Sequence, residues 1–237
     1  MSGRMNFKTF KAKLYSPLFY SSSEGRTIKT REILSATALM HALGYRYFDL
    51  QKKYILTSEE ATTPDYSYLN NLALFVSDMK PIDVRANERT FRSTDYRSDR
   101  HLTTNETNIA KNINSKKAVP EVLETSGTAW QTVRNYMGIS PGSEYKFSVW
   151  TERELPQKLF FRMGIKQTGE FRAKKSDESE IILNKYLLDN VYDIEESVLN
   201  RLGKESKKFV RGNDPRLQHF IDVPTRLANE IAEMILK

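Results

Sequence analysis

The chain has 237 residues, room for one large domain or one and a half small ones, and its 39% hydrophobic and 11% aromatic content excludes a disordered tail. The absence of cysteine excludes disulfides, thiolate nucleophiles and thiolate metal sites. Lys and Arg number 37 against 30 Asp and Glu, a formal charge of +7 that favours a polyanionic partner.

Phe7 to Tyr20 alternates and ends in dense aromatics, which predicts an opening β-strand. Pro17 cannot donate to a ladder, so the strand ends or lies at an edge there. Ser21 to Arg26 reads as a polar turn containing Gly25. A helix is predicted from Thr30, with Glu32 in its first turn, to a stop at Gly44, burying Ile33, Leu34, Thr37, Ala38 and Met40. Tyr45 to Leu56 is aromatic and mixed, Thr57 to Pro64 reads as a loop, and Leu72 to Val76 as a short buried strand. From Arg85 to Ala118 apolar residues thin out and Arg, Asn, Thr and Ser take over, the main shift of composition in the chain.

Gly142 to Trp150 alternates with Tyr145, Phe147 and Val149 on one side and Lys146 and Ser148 on the other, as a half-buried strand requires. Leu159 to Ile165 reads as another strand, Gly169 permits a turn, and Phe171 to Lys174 completes a β-hairpin. Ile181 to Leu188 fits strand or helix equally, whereas Ile194 to Leu202 fits a helix stopped by Gly203. Leu217 to Val223 predicts a last strand, and Pro224 opens an amphipathic helix with Leu227, Ile231, Met234 and Ile235 on one face. Segregated elements with antiparallel hairpins predict an α+β fold, in one domain over residues 1–237 with 85–118 as a basic insertion. No run approaches the roughly 18 apolar residues of a membrane span. Met1 to Asn6 lacks the apolar block of a signal peptide, so a cytoplasmic protein is expected.

Positive charge concentrates in three segments: Arg85 to Ala118 carries net +4, Lys158 to Lys175 net +5 and Arg201 to Arg211 net +4. In the first, Arg92, Arg97 and Arg100 accompany Phe91 and Tyr96. Guanidinium binds phosphate bidentately and an aromatic ring stacks an unpaired base, so this mixture points to RNA as well as to a solvated loop. In the second, Arg162, Gly164 and Lys166 place two cations around a residue that lets a backbone approach closely, with Arg172 and Lys174 following. An ordinary strand with outward charges has the same pattern.

Chemistry finds fewer footholds. His41, His101 and His219 are too scattered for a metal motif; His41 on a helix and His219 in a strand read as structural. His101, between Arg100 and Leu102, suits RNA contact or acid/base cleavage but has no partner adjacent in sequence. The phosphate-cradling, dinucleotide and nucleophile-elbow motifs are absent, and the Asp residues show no paired spacing, so no cofactor or metal is expected.

Two stretches carry a resemblance. Ala12 to Arg26, followed by Ala36 to Gly44, resembles the opening of the Cas-five-type subunit of type I-D CRISPR interference complexes, in the repeat-associated mysterious protein superfamily. Phe160 to Lys166 resembles that family's Arg-x-Gly-Lys-like segment, with Ile165 here separating Gly164 from Lys166. The resemblance implies a ferredoxin-like, RNA-recognition-type core with an inserted β-rich thumb. It implies a non-catalytic subunit that caps the 5′ handle of the guide RNA and touches the backbone subunit and the large subunit. It also implies contact with target double-stranded DNA near the protospacer-adjacent motif, while guide pairing reads the sequence. The alternative it carries is a metal-independent endoribonuclease, because type I-C relatives cleave precursor guide RNA.

Overall fold

Strict alternation makes the first strand amphipathic: Phe10, Ala12 and Leu14 are buried while Lys11 and Lys13 are exposed. The computed structural model describes residues 5–19, 27–50, 66–92, 133–164, 167–212 and 215–236, with backbone only for 27–29, 87–92, 133–136 and 215. In chain order the first half holds β1 (Asn6–Leu14), β2 (Thr27–Lys29), α1 (Ala36–Tyr47), β3 (Leu74–Val76), β4 (Lys80–Asp83), β5 (Ala86–Arg92) and β6 (Val133–Ile139). The second half holds β7 (Glu144–Thr151), β8 (Lys158–Met163), β9 (Gly169–Ser176), β10 (Ile181–Asn184), α2 (Glu196–Glu205), β11 (Lys208–Val210), β12 (His219–Val223) and α3 (Thr225–Ile235).

The main sheet runs β3-β7-β1-β9-β8, antiparallel throughout, with β4 on the same edge of β7 as β3. The mixed α/β, antiparallel character expected from the sequence is therefore observed. Both β1 and β3 run antiparallel to β7 between them, so β1 and β3 are parallel and α1 is their crossover. Helix α1 touches β3 and β8, the two outer strands, because the sheet curls around it as a half-barrel. The apolar face fills that curl. Phe10 stacks with Phe147, and Phe161 with Phe171, at ring separations of 5.5 and 5.3 Å.

The helix begins later than the Thr30 predicted from the sequence. Ser35 is its N-cap and accepts from the Thr37 N–H, while Thr30 follows β2 and donates its N–H to the Met137 carbonyl at 2.7 Å. Leu34 is held out of the helix by a β-bridge to Met79. Nor does Gly44 stop it: the helix continues to Tyr47, and a Cβ at Gly44 would meet Leu50 at 3.0 Å and Leu72 at 3.2 Å. Gly44 serves packing, not termination. Gly203 likewise lies inside α2.

A second sheet, β10-β12-β11, is antiparallel and carries α2 and α3. The ambiguous stretch Ile181 to Leu188 is both structures in succession, strand β10 and then a wide helical turn over Leu187–Val191. Helix α3 buries Leu227, Ala228, Ile231 and Ala232, and leaves Met234 exposed, so its stripe runs through the alanines rather than through Met234 as predicted. This unit covers one half of the main sheet's outer face. Trp150 donates its Nε1–H to Asn229 Oδ1 at 2.7 Å, and the Asp78 N–H donates to the Ile182 carbonyl at 2.8 Å.

Asp78 ties the two units together. It is fully buried between β3 and β4; Oδ1 accepts the Ala36 N–H at the start of α1 at 2.6 Å, and Oδ2 lies 2.7 Å from His219 Nδ1. His219 is thus structural, in agreement with the sequence reading.

A third sheet, β2-β6-β5, pairs β5 with β6 as antiparallel arms and β2 parallel to β6. The Arg85 to Ala118 segment opens as β5, and residues 93–132 between the arms lie outside the described residues. So do the Ser21 to Arg26 turn and the Thr57 to Pro64 loop.

A candidate nucleic-acid interface on the exposed sheet face

Register decides which charges meet. Lys11 of β1 lies directly opposite Lys146 of β7 on one side and Lys174 of β9 on the other, and Lys174 lies opposite Lys158 of β8. With Lys80 of β4 opposite Lys146, five lysines therefore form one row across five neighbouring strands, a span of about 19 Å at the usual strand spacing. Like charges directly opposite one another destabilise a sheet unless carboxylates offset them, as Asp222 and Glu180 do for Lys80. Lys11 pairs with Glu144 at 2.8 Å, which holds that carboxyl below the usual range, and Lys146 pairs with Glu178. Lys158 and Lys174 have no ion-pair partner among the described residues.

The next row on the same face runs Glu144, Lys13, Arg172 and Phe160. The Arg172 guanidinium sits 4.3 Å from the ring centre of Tyr15 and 5.9 Å from that of Phe160. Beyond it, Glu170 Oε2 meets Arg162 at 3.3 Å and Glu170 Oε1 meets Arg172 at 3.2 Å. With Lys146 mostly covered and taken up by Glu178, the open face sets Lys11, Lys13, Lys158, Lys174, Arg162 and Arg172 against Glu144 and Glu170, leaving four net positive charges. Tyr15 and Phe160 are each about half exposed, at 49% and 48%. Exposed aromatics beside cations suit a phosphate-bearing chain with stackable bases.

The structure thus brings Arg162, Arg172 and Lys174 together on one face. Gly164, at the end of β8, has φ +89°, and a Cβ there would meet Leu18 Cδ1 and the Phe19 carbonyl at 2.6 Å. The close approach this glycine permits is made by the chain's own Leu18–Phe19 segment. Lys166, Arg97, Arg100 and His101 lie outside the described residues; Arg92 ends β5, with only its backbone described. Sequence reasoning missed Lys11, Lys13, Lys146 and Lys158 as one surface with these residues, and Tyr15 and Phe160 as its aromatic members. Alternation of Lys11 and Lys13 against Phe10, Ala12 and Leu14 was the available signal.

The third basic segment is more consumed by the fold. Arg201 binds Glu205 at 2.7 Å and Glu230 at 2.8 Å, linking α2 to α3. His41 is engaged as well. Its Nδ1–H donates to the Thr37 carbonyl at 2.8 Å, its Nε2 accepts from the Tyr68 hydroxyl, and burial pushes its pKa below the usual 6.5. Among the described residues no cluster of His, Asp or Glu forms a metal site, and no helix is long and apolar enough to cross a membrane.

Fold and face first define a class: a mixed α/β protein whose curled antiparallel sheet turns a basic, aromatic-studded surface outward. The family is narrower. Residues 5–208 match the family of the type I-D CRISPR-associated protein Cas5/Csc1, and the chain belongs to that family. The match takes in the whole main sheet and stops before β12 and α3. No curated protein matches the chain.

Proposed function

We propose that this chain is the guide-RNA-binding subunit of a type I-D CRISPR effector complex, holding the 5′ handle on the exposed sheet face. The observation that carries the proposal is the in-register lysine row, whose Lys158 and Lys174 have no carboxylate partner among the described residues, an opposition that a bound polyanion would offset. Family membership supplies the setting. The strand order supports a ferredoxin-like core: β9-β1-β7-β3, with α1 crossing from β1 to β3, is the order of a split βαβ sheet, and β8 takes the place of the second crossover helix. The β5/β6 arms support the reading of an inserted thumb. In this proposal the backbone and large subunits are its neighbours in the complex, and basic surface outside the handle site lies near the duplex DNA beside the protospacer-adjacent motif.

The subunit is proposed to be non-catalytic. His41 and His219 are committed to internal hydrogen bonds, so the ribonuclease alternative falls to His101. A filter-binding titration of the full chain with its repeat RNA tests both parts. Four net charges on the face predict a log–log salt slope of about −3 for single-stranded RNA. Arg172→Ala should weaken binding roughly tenfold, as loss of a charged hydrogen bond does. A flat salt response would refute the charge argument. Specific metal-free cleavage that disappears in His101→Ala would replace binding with processing.

A further inference from the structure

Beside the basic face, where α1 meets the outer edge of β8, lies a pocket of about 370 Å³ lined by Tyr45 and Arg46 from α1, Phe160 and Arg162 from β8, Gln167, and Glu170 from β9. Its size is at the small end of ligand sites. The pocket is not a gap between loosely packed elements. The Tyr47 hydroxyl accepts the Phe160 N–H at 2.9 Å and donates to the Phe160 carbonyl at 3.3 Å, pinning the last turn of α1 to the sheet edge.

Two of its walls are aromatic and partly exposed. Tyr45 and Phe160 are 41% and 48% exposed, and the only other exposed aromatic side chain among the described residues is Tyr15, against Arg172. Three exposed rings, two of them beside the Arg172 guanidinium, offer stacking faces to a ligand. The polar lining is equally specific. Arg46, Arg162 and the Gln167 amide donate, while Glu170 accepts; Oε2 takes one N–H from Arg162 and Oε1 two from Arg172, which leaves about one of a carboxylate's four lone-pair sites open. Gln167 itself is held at φ +56°, a left-handed conformation costly for a residue with a Cβ, and its N–H donates to the Gly164 carbonyl at 3.0 Å.

We infer that this pocket receives one unpaired nucleobase of the bound RNA, and that it selects a base with an exocyclic amine. The inference rests on the guide-RNA reading above. The base stacks against Tyr45 and Phe160, its amine donates to Glu170, and the flanking phosphates lie toward Arg46 and Arg162. Uracil presents a carbonyl where cytosine carries its amine, an acceptor facing the Glu170 carboxylate. The subunit thus reads one handle position by its base while the lysine row holds the rest by its backbone.

The test is a binding titration of the full-length chain against handle RNAs in which a single abasic site is moved one position at a time. One position should stand out, weakening binding by roughly 5- to 150-fold, the range for loss of one stacked base, while the others stay within about twofold. At that position uridine should bind more weakly than adenosine, cytidine or guanosine. Tyr45→Ala should erase the distinction, binding intact and abasic RNA alike, and Phe160→Ala should do the same from the β8 side. A uniform abasic profile, or an unchanged profile in both folded variants, overturns the pocket inference while leaving RNA binding intact. Saturable binding of adenosine monophosphate with no abasic profile assigns the pocket to a free nucleotide and also overturns it. Absence of RNA binding altogether overturns the guide-RNA reading itself.

Discussion

Lys174→Thr separates the needs of the fold from those of the ligand. Lys174 faces Lys11 across one ladder and Lys158 across the other, and no carboxylate among the described residues pairs with it. Each directly opposed like-charge pair destabilises by about 0.2–1 kcal/mol, so removing both should stabilise the protein by about 0.5–1.5 kcal/mol. Threonine adds a side chain suited to a strand, and no packing is lost because Lys174 is exposed. RNA affinity should move the other way, by roughly five- to tenfold, and the salt slope should shrink by about 0.7 as one phosphate contact disappears. Urea unfolding and filter binding on the same preparation read the two quantities. Opposite signs are the signature of charge kept for a ligand. A variant that loses both stability and affinity, or neither, would refute the reasoning that the lysine row exists for a polyanion.

Asp78→Ala should be severe, about 3–5 kcal/mol, because it orphans the Ala36 N–H and the buried His219 imidazole together; Asp78→Asn, which keeps one acceptor, should cost clearly less by urea midpoint. Tyr145→Phe should leave the melting temperature unchanged or raise it. The Tyr145 hydroxyl is buried with no hydrogen-bond partner among the described residues, and burial drives its pKa upward. For His41, burial favours the neutral ring in the folded state, while the unfolded chain takes up a proton near 6.5. Its stabilising contribution is therefore complete above about pH 6.5 and is lost as pH falls below it, so a melting series from pH 7.5 to 5.5 should decline less in His41→Gln than in the parent.

The strands were legible because their signal is local. Phe10, Ala12 and Leu14, or Tyr145, Phe147 and Val149, announce a buried face through period two alone; β7 and the β8/β9 hairpin fall where alternation places them, while β1 stops at Leu14, short of the expected Tyr20. The start of α1 was not legible. Thr30 with Glu32 in the following turn imitates a cap, but the true start is set by Ser35 and by the carboxylate of Asp78, 42 residues beyond Ala36. Leu34 is withheld from the helix by Met79, another contact distant in sequence. The candidate site was hidden for the same reason. Charge runs showed Arg162, Arg172 and Lys174, but the row joining Lys146, Lys11, Lys174 and Lys158 exists only once four strands are in register.

That register also explains why the outer face is open at all. Along β1 and β7 the same face passes from Lys11 and Lys146 to Thr9 and Ser148 within two residues, and the Thr9 and Ser148 hydroxyls bond each other at 3.2 Å beneath the C-terminal unit. Further along lies Trp150, sealed by Asn229 of α3. One half of the face thus carries small polar and aromatic side chains that a neighbouring element can cover. The other half carries Lys11, Lys13, Lys158 and Lys174, exposed charges that no apolar element could cover without desolvating them. The boundary is written in the side chains of single strands, so the exposed half is not a core left unfinished. Only a partner that brings its own negative charge can lie on it at low cost, and a flexible single strand, with phosphates to meet the lysines and bases to meet Tyr15 and Phe160, satisfies both chemistries at once.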